Sequence, residues 1–171
     1  MADFELFFDH TCPYCLRAHK YLKDLLPNFP NAVIAWRPVE AHPKMEEPEH
    51  KPYEDLAVQG AFFVREHNPD LELAYHERVY KAHFDDRKAV DNVAVLKQCA
   101  ADIGADADAF EAALTGGVYV KALQEANDHA YETQKVWAVP SYVCGDKRLD
   151  SKPGVGVTFD QLQSLLKACF S

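Results

Sequence analysis

Two cysteines separated by two residues, Cys12 and Cys15, are the side chains in this sequence best suited to chemistry. They lie in Phe7-Phe8-Asp9-His10-Thr11-Cys12-Pro13-Tyr14-Cys15, between an apolar run and an amphipathic one. A thiol at the N-terminus of a helix faces unpaired backbone N–H groups and the positive end of the helix dipole, and both favour thiolate over thiol. Cys12, at the open end of such a helix, is expected to be a nucleophile, thiols so placed in CxxC motifs having pKa values of about 3.5 to 7. Cys15, inside the first turn, is expected to be more buried and to resolve a mixed disulfide. Pro13 limits the backbone between them and removes one N–H that would otherwise solvate a sulfur. Tyr14 flanks the thiolate and can modulate it. His10 titrates in the neutral range, so it either tunes Cys12 or is a solvated loop histidine. Asp9 reads as a turn residue at a strand end rather than as a proton acceptor for Cys15.

Metal binding is the natural rival for any such pair, because tetrahedral zinc takes four ligands and this motif supplies two. There is no second pair, and His42, His50 and His83 lack ligand spacing, so no metal is expected. Of the 5 cysteines, Cys99 and Cys169 occupy apolar helical positions and read as core, whereas Cys144 beside Gly145 reads as more exposed. An odd cysteine count argues against a framework of secreted disulfides and for a reducing compartment.

The surroundings set further bounds. The 171 residues are 48% hydrophobic and 26% charged, as in an ordinary globular domain. Eighteen basic against 27 acidic residues give a net charge of −9 with no basic cluster, which argues against nucleic acid or an anionic lipid surface as partner. Met1-Ala2-Asp3-Phe4-Glu5 enters a strand pattern without the basic and apolar regions of a leader, and no stretch reaches membrane-spanning length. A cytoplasmic protein is the expectation.

The elements that must position the motif follow in order. Phe4 to Phe8 reads as a strand, Thr11 as an N-cap, and residues 13–26 as a helix with Pro13 in its first turn. Residues 32–39 read as a second, parallel strand, completing a βαβ unit. Four prolines, Pro38, Pro43, Pro48 and Pro52, mark a linker or surface loop. Helical spacing then dominates over 54–67, 70–84, 89–103, 107–114 and 118–134. Residues 136–144 read as a strand, Gly145-Asp146 as a hairpin turn into Lys147-Arg148-Leu149, and 159–170 as a closing helix. Tyr75, Tyr80, Phe84 and Trp137 read as core before substrate groove.

Cys12-Pro13-Tyr14-Cys15 after an N-terminal strand, together with Ala138-Val139-Pro140-Ser141-Tyr142-Val143 before a Gly145-Asp146 turn, resembles the thioredoxin superfamily. The helical insertion resembles that of the DsbA-like branch, and Tyr75-His76-Glu77-Arg78-Val79-Tyr80-Lys81-Ala82-His83-Phe84, continuing through Asp91 to Leu114, is similar to the FrnE type. The resemblance implies an α/β thioredoxin-like fold with an α-helical insertion between βαβ and ββα halves. Residues 1–52 and 135–171 would form the discontinuous thioredoxin-like domain and 53–134 the insertion. It also implies a cis Val139–Pro140 bond that presents the Val139 backbone to an extended substrate beside the sulfurs. The loop from His42 to Tyr53 and the stretch Ser151-Lys152-Pro153-Gly154 match no pattern.

The activity so implied is dithiol/disulfide exchange with protein or small-molecule disulfides. Catalysis would rest on Cys12 and Cys15, substrate contact on Val139 and Pro140, and modulation on His10, Pro13 and Tyr14. No dissociable cofactor is expected beyond the redox-active Cys12–Cys15 disulfide, with glutathione open as reductant or co-substrate. One alternative is a glutathione-dependent isomerase or transferase of the 2-hydroxychromene-2-carboxylate isomerase or kappa type. Those proteins usually carry Ser where Cys12 stands. Another is a non-enzymatic, redox-sensing or chaperone-like binding module, whose disulfide gates an apolar surface and which turns over only slowly with reductants. The sequence fixes no oligomeric state.

Overall fold

The computed structural model describes residues 4–41 and 53–170. Among these residues there are seven α-helices and four strands, and the chain divides into two compact units, Met1–Ala41 with His129–Ser171, and His42–Asp128. Most of the loop between His42 and Tyr53 lies outside the described residues, as do His42 and His50.

The first unit is built on β1 (Phe4–Phe8), whose five residues are all buried. Cys12 then caps α1 (Pro13–Leu25), with proline in the first turn, where its missing N–H costs no helical bond. Ala18, Leu22 and Leu25 recur on one face of α1 and are buried, together with His19. Pro27 closes the helix in a 3₁₀ turn, Leu26–Asn28. β2 (Ile34–Pro38) returns parallel to β1, pairing Phe4 with Ile34 and Phe8 with Pro38.

β3 (Ser141–Cys144) and β4 (Lys147–Asp150) add to the other edge of β1 as antiparallel strands, giving the order β2-β1-β3-β4. The strand expected from residue 136 begins only at Ser141. Pro140 has no N–H for a ladder, and the segment before it runs outside the sheet, leaving Trp137 61% exposed rather than in the core. The closing helix α7 (Phe159–Phe170) packs on α1 and β4. Phe7, Val39, Ala130, Val136 and Val143 form one apolar cluster of this unit. Phe4 stacks at a tilt on Tyr142 and Phe170.

Glu5 is an exception within this apolar strand, being only 7% exposed. Its carboxylate accepts hydrogen bonds from Arg37 (2.8 Å), the His129 ring (2.7 Å) and Gln134 (3.0 Å). Pairing of this kind is what makes a charge tolerable in a core. His129 opens a short π-helical turn, His129–Thr133, where the sequence predicts unbroken α-helix to residue 134.

The second unit holds α2 (Asp55–His67), α3 (Glu72–Phe84), α4 (Val93–Asp102), α5 (Ala107–Thr115) and α6 (Val120–Asp128). The helix expected over 89–103 begins late because Asn92 is its cap, accepting from Ala94 N–H at 2.8 Å. Asp106 caps α5 in the same way, at 3.1 Å from Ala109 N. Phe63, Tyr75, Leu96, Phe110 and Tyr119 anchor the core, with Cys99 buried among them as expected. Gly60 lets α2 approach closely: a Cβ there would stand 2.2 Å from the Tyr75 hydroxyl and 2.7 Å from the Phe110 ring. Glu72 accepts from Arg65 and His76. Burial opposes its charge, but those two partners outweigh it and hold its carboxyl at about 2. Tyr75 and Tyr80 are core as expected, and Phe84 is half-buried.

Candidate active site

β1 delivers the chain to the start of α1, and the turn between them is fixed by Asp9. Its side chain is fully buried. One oxygen accepts from both the Thr11 backbone N–H and the Thr11 hydroxyl at 2.7 Å, and the other from Ala41 N–H at 2.7 Å. Its carbonyl accepts from Cys12 N–H at 3.2 Å. The turn role read from the sequence is what this geometry provides, and the burial adds a carboxylate beside the two sulfurs.

Thr11, the expected N-cap, is displaced from that role. The cap is Cys12, in extended conformation, and its sulfur accepts the Cys15 backbone N–H at 3.4 Å. With Thr11 engaged by Asp9, the free N–H groups of the first turn are left to a sulfur instead of a hydroxyl. Cys12 is half-buried and Cys15 buried, both as free thiols. The Cys12 thiol is lowered from 9.0 to about 7, chiefly by the hydrogen bond from the Cys15 side chain and also by the backbone N–H groups of Cys15 and Tyr14, against the opposing effects of burial and of Asp9. Burial, then the negative Cys12 sulfur, push Cys15 well above its ordinary range. A hydrogen bond on one sulfur and burial of the other thus set the two apart in acidity.

The second motif segment meets the first. The Cys12 thiol donates to the Val139 carbonyl across 3.7 Å. The Val139–Pro140 bond is cis. Ser151 donates its hydroxyl to the Pro140 carbonyl, and Ser141 donates to Ala138 O at 2.7 Å and to Asp150 at 3.0 Å. These serines brace both sides of Pro140.

Ser151 belongs to the stretch that matched no sequence pattern. The residues just after that stretch reach the motif helix. Arg17 donates to the carbonyls of Val155 and, at 3.3 Å, Val157, and its guanidinium lies 5.4 Å from the centre of the Tyr14 ring. A Cβ at Gly156 would stand 3.0 Å from both Tyr14 and Arg17. Tyr14 is therefore sandwiched in place by contacts that no local pattern announces, and Arg17, Ser151 and Gly156 are the site residues that sequence reasoning missed. Arg17 follows the motif at helical spacing, which was the one available signal.

His10 is not a solvated loop histidine. It is fully buried, with its ring edge-on to Phe8 at 5.2 Å. Among the described residues, no group of three or more His, Cys, Asp or Glu side chains is arranged to hold a metal ion. Nor is any helix among them long and apolar enough to cross a membrane.

This arrangement of a capped CxxC and an adjoining cis-proline sits on a fold with known counterparts. Residues 55–167 match the model of the DSBA-like thioredoxin domain, and the chain belongs to that family. The match begins after the motif, so Cys12 and Cys15 lie outside it. YwbO of Bacillus subtilis (strain 168), an uncharacterized protein, is 33% identical over 106 residues, which are 62% of this chain and 52% of that one. The chain thus spans about half the length of the curated relative it matches.

Solved structures repeat the architecture at low identity. A probable DsbA oxidoreductase from Streptomyces coelicolor superposes with a TM-score of 0.81 at 13% identity, covering 99% of this chain and 90% of that one. Oxidised BdbD from Bacillus subtilis gives 0.76 at 15% identity, with 99% and 87% covered. The catalytic domain of ScsC from Proteus mirabilis gives 0.69 at 21%, with 99% and 83% covered. The fold is therefore thioredoxin-like, with helices inserted between its βαβ and ββα halves.

Proposed function

We propose that this chain is a cytoplasmic protein-disulfide oxidoreductase of DsbA-like type, acting through Cys12 and Cys15 on disulfides in proteins or small molecules. The observation that carries the reading is the placement of the Cys12 sulfur at the cap of α1, beside the cis Val139–Pro140 bond, with Cys15 buried one turn on; the Cys12 thiol is accordingly lowered to about 7, whereas burial holds Cys15 well above its ordinary range. The Cys12 thiolate attacks a substrate disulfide and expels one substrate thiolate. Cys15 passes its proton to that leaving group and attacks the Cys12 sulfur, releasing the second substrate thiol and leaving a Cys12–Cys15 disulfide. The reverse sequence oxidises a dithiol substrate.

Val139 and Pro140 contact the substrate in this reading. The Val139 carbonyl, which accepts from the Cys12 thiol, becomes free for a substrate backbone N–H once that thiol ionises. Pro13 and Tyr14 shape the approach to Cys12, and His10 acts from inside the unit as a positioning residue for the turn. No dissociable cofactor enters the exchange, and glutathione serves as a reductant. No membrane or nucleic-acid partner is invoked.

Equilibration against glutathione redox buffers, with alkylation of free thiols and mass mapping, tests the proposal. A reversible Cys12–Cys15 couple that disappears in Cys12→Ser, together with loss of insulin-disulfide reduction in the same variant, is the expected result. Full exchange activity in Cys12→Ser would overturn it.

A further inference from the structure

Three cysteines stand apart from the Cys12–Cys15 chemistry, and two of them meet. Cys144 ends β3, opposite Phe4 of β1 and Lys147 of β4 in the antiparallel registers. Cys169 lies in the last turn of α7, and the ring of its neighbour Phe170 packs on Phe4 with centroids 5.4 Å apart. Strand end and helix end are thus gathered at one β1 residue, with the Cys144 side chain near enough to the Cys169 thiol to raise its pKa. Both are free and half-buried, which corrects the reading of Cys169 as core. Cys99, by contrast, is 1% exposed. Lys147 and Ala168, beside the pair, line an open groove of about 650 Å³ formed by β4 and α7.

We propose that Cys144 and Cys169 form a second redox-active dithiol, which closes to an intramolecular disulfide at the expense of a low-molecular-weight disulfide. Cys144 loses its proton to solvent and attacks one sulfur of the small disulfide, expelling a thiolate. Cys169 gives its proton to that thiolate and attacks the Cys144 sulfur, expelling the second, which takes a proton from solvent. Two protein thiols are oxidised and one small disulfide becomes two thiols. Burial and the Cys144 side chain push the Cys169 thiol up to about 12, which suits it to resolve rather than to attack first. Closure ties β3, the strand that leaves Pro140, to α7.

The test uses Cys12→Ser/Cys15→Ser, which keeps only Cys99, Cys144 and Cys169. The folded protein is treated with oxidised glutathione, quenched in acid, alkylated and mapped by mass spectrometry. The expected result is a Cys144–Cys169 linked peptide with Cys99 alone alkylated, reversed by reduced glutathione. Adding Cys169→Ser should leave glutathione trapped on Cys144. A stable glutathione adduct on either cysteine while both are present, or three alkylatable thiols after treatment, overturns the proposal. The same map on the unmutated chain distinguishes this link from any bond to Cys12 or Cys15, should the double variant fold poorly. Because Cys12 and Cys15 are absent from the main experiment, its outcome is separate from that of the proposed function.

Discussion

Replacing Cys15 by alanine should change the acidity of Cys12 while leaving its helix cap in place. The Cys15 backbone N–H still reaches the Cys12 sulfur at 3.4 Å, so the variant removes only the side-chain donor, which is the largest influence on that thiol. The fall from 9.0 to about 7 corresponds to about 2.7 kcal/mol at 1.36 kcal/mol per pKa unit, and to roughly 2 kcal/mol once screening at this partly exposed sulfur is allowed for. At pH 7 the native thiol should be roughly half thiolate, against ~1% for an unperturbed one. Loss of the largest contribution should raise the midpoint by about one unit and cut the thiolate at pH 7 to ~10%. The readouts are thiolate ultraviolet absorbance against pH, taken as a difference from Cys12→Ser, and the pH dependence of iodoacetamide alkylation. The sign follows from linkage. A thiol depressed in the folded state contributes stability that is complete above about 9 and lost as pH falls through about 7, so the share of the reduced form's stability carried by Cys12 should shrink on the alkaline side, where removal of the raised Cys15 thiol acts in the opposite sense. An unchanged midpoint in Cys15→Ala would refute the reasoning, because it would assign the low pKa to the helix terminus alone.

Other outcomes are equally specific. The Asp9 carboxylate opposes ionisation of Cys12, so Asp9→Asn should move the alkylation midpoint below that of the parent, and a rise would contradict the assigned sign. Gly60→Ala should cost about 1–3 kcal/mol in urea unfolding, because the added methyl overlaps the Tyr75 hydroxyl and the Phe110 ring. Glu72, held at about 2 by Arg65 and His76 against its burial, contributes stability that is complete above about 4.5 and lost as pH falls toward 2. Comparing the acid unfolding of the parent and Glu72→Gln should therefore reveal a difference of roughly 2 kcal/mol at neutral pH that shrinks below pH 4; equal curves would remove the assignment.

The strand, turn and helix around Cys12 were legible because their signals are local: an aromatic run, a proline in the first turn, and apolar residues at helical spacing. The order βαβ, helices, ββα was legible for the same reason. The cap was misread because sulfur is absent from the usual set of capping acceptors, and because Asp9 draws Thr11 away through a bond visible only in three dimensions. His10 was left open between tuning Cys12 and facing solvent, since nothing in a strand-end dipeptide says which way the ring turns; its burial removes the second reading. Glu5 looks like an alternating surface residue until Arg37, His129 and Gln134 converge on it from distant parts of the chain. Arg17, Ser151 and Gly156 belong to the same class, since each acts on the motif through a contact set by sheet order. Cys144 and Cys169 sit on separate elements, and only the packing of α7 beside the strands brings their sulfurs together.

The sulfur cap of α1 has one more consequence. A serine or aspartate cap is a permanent fixture, whereas this one, in the exchange proposed above, would change its charge and its covalent partner at each step. The amide protons of Tyr14 and Cys15 point at the very atom that reacts, so their chemical shifts and exchange rates form a gauge of redox state that needs no label. A change at that sulfur would bear on the first turn of α1 alone, because Ala18 and Leu22 are buried further along the helix.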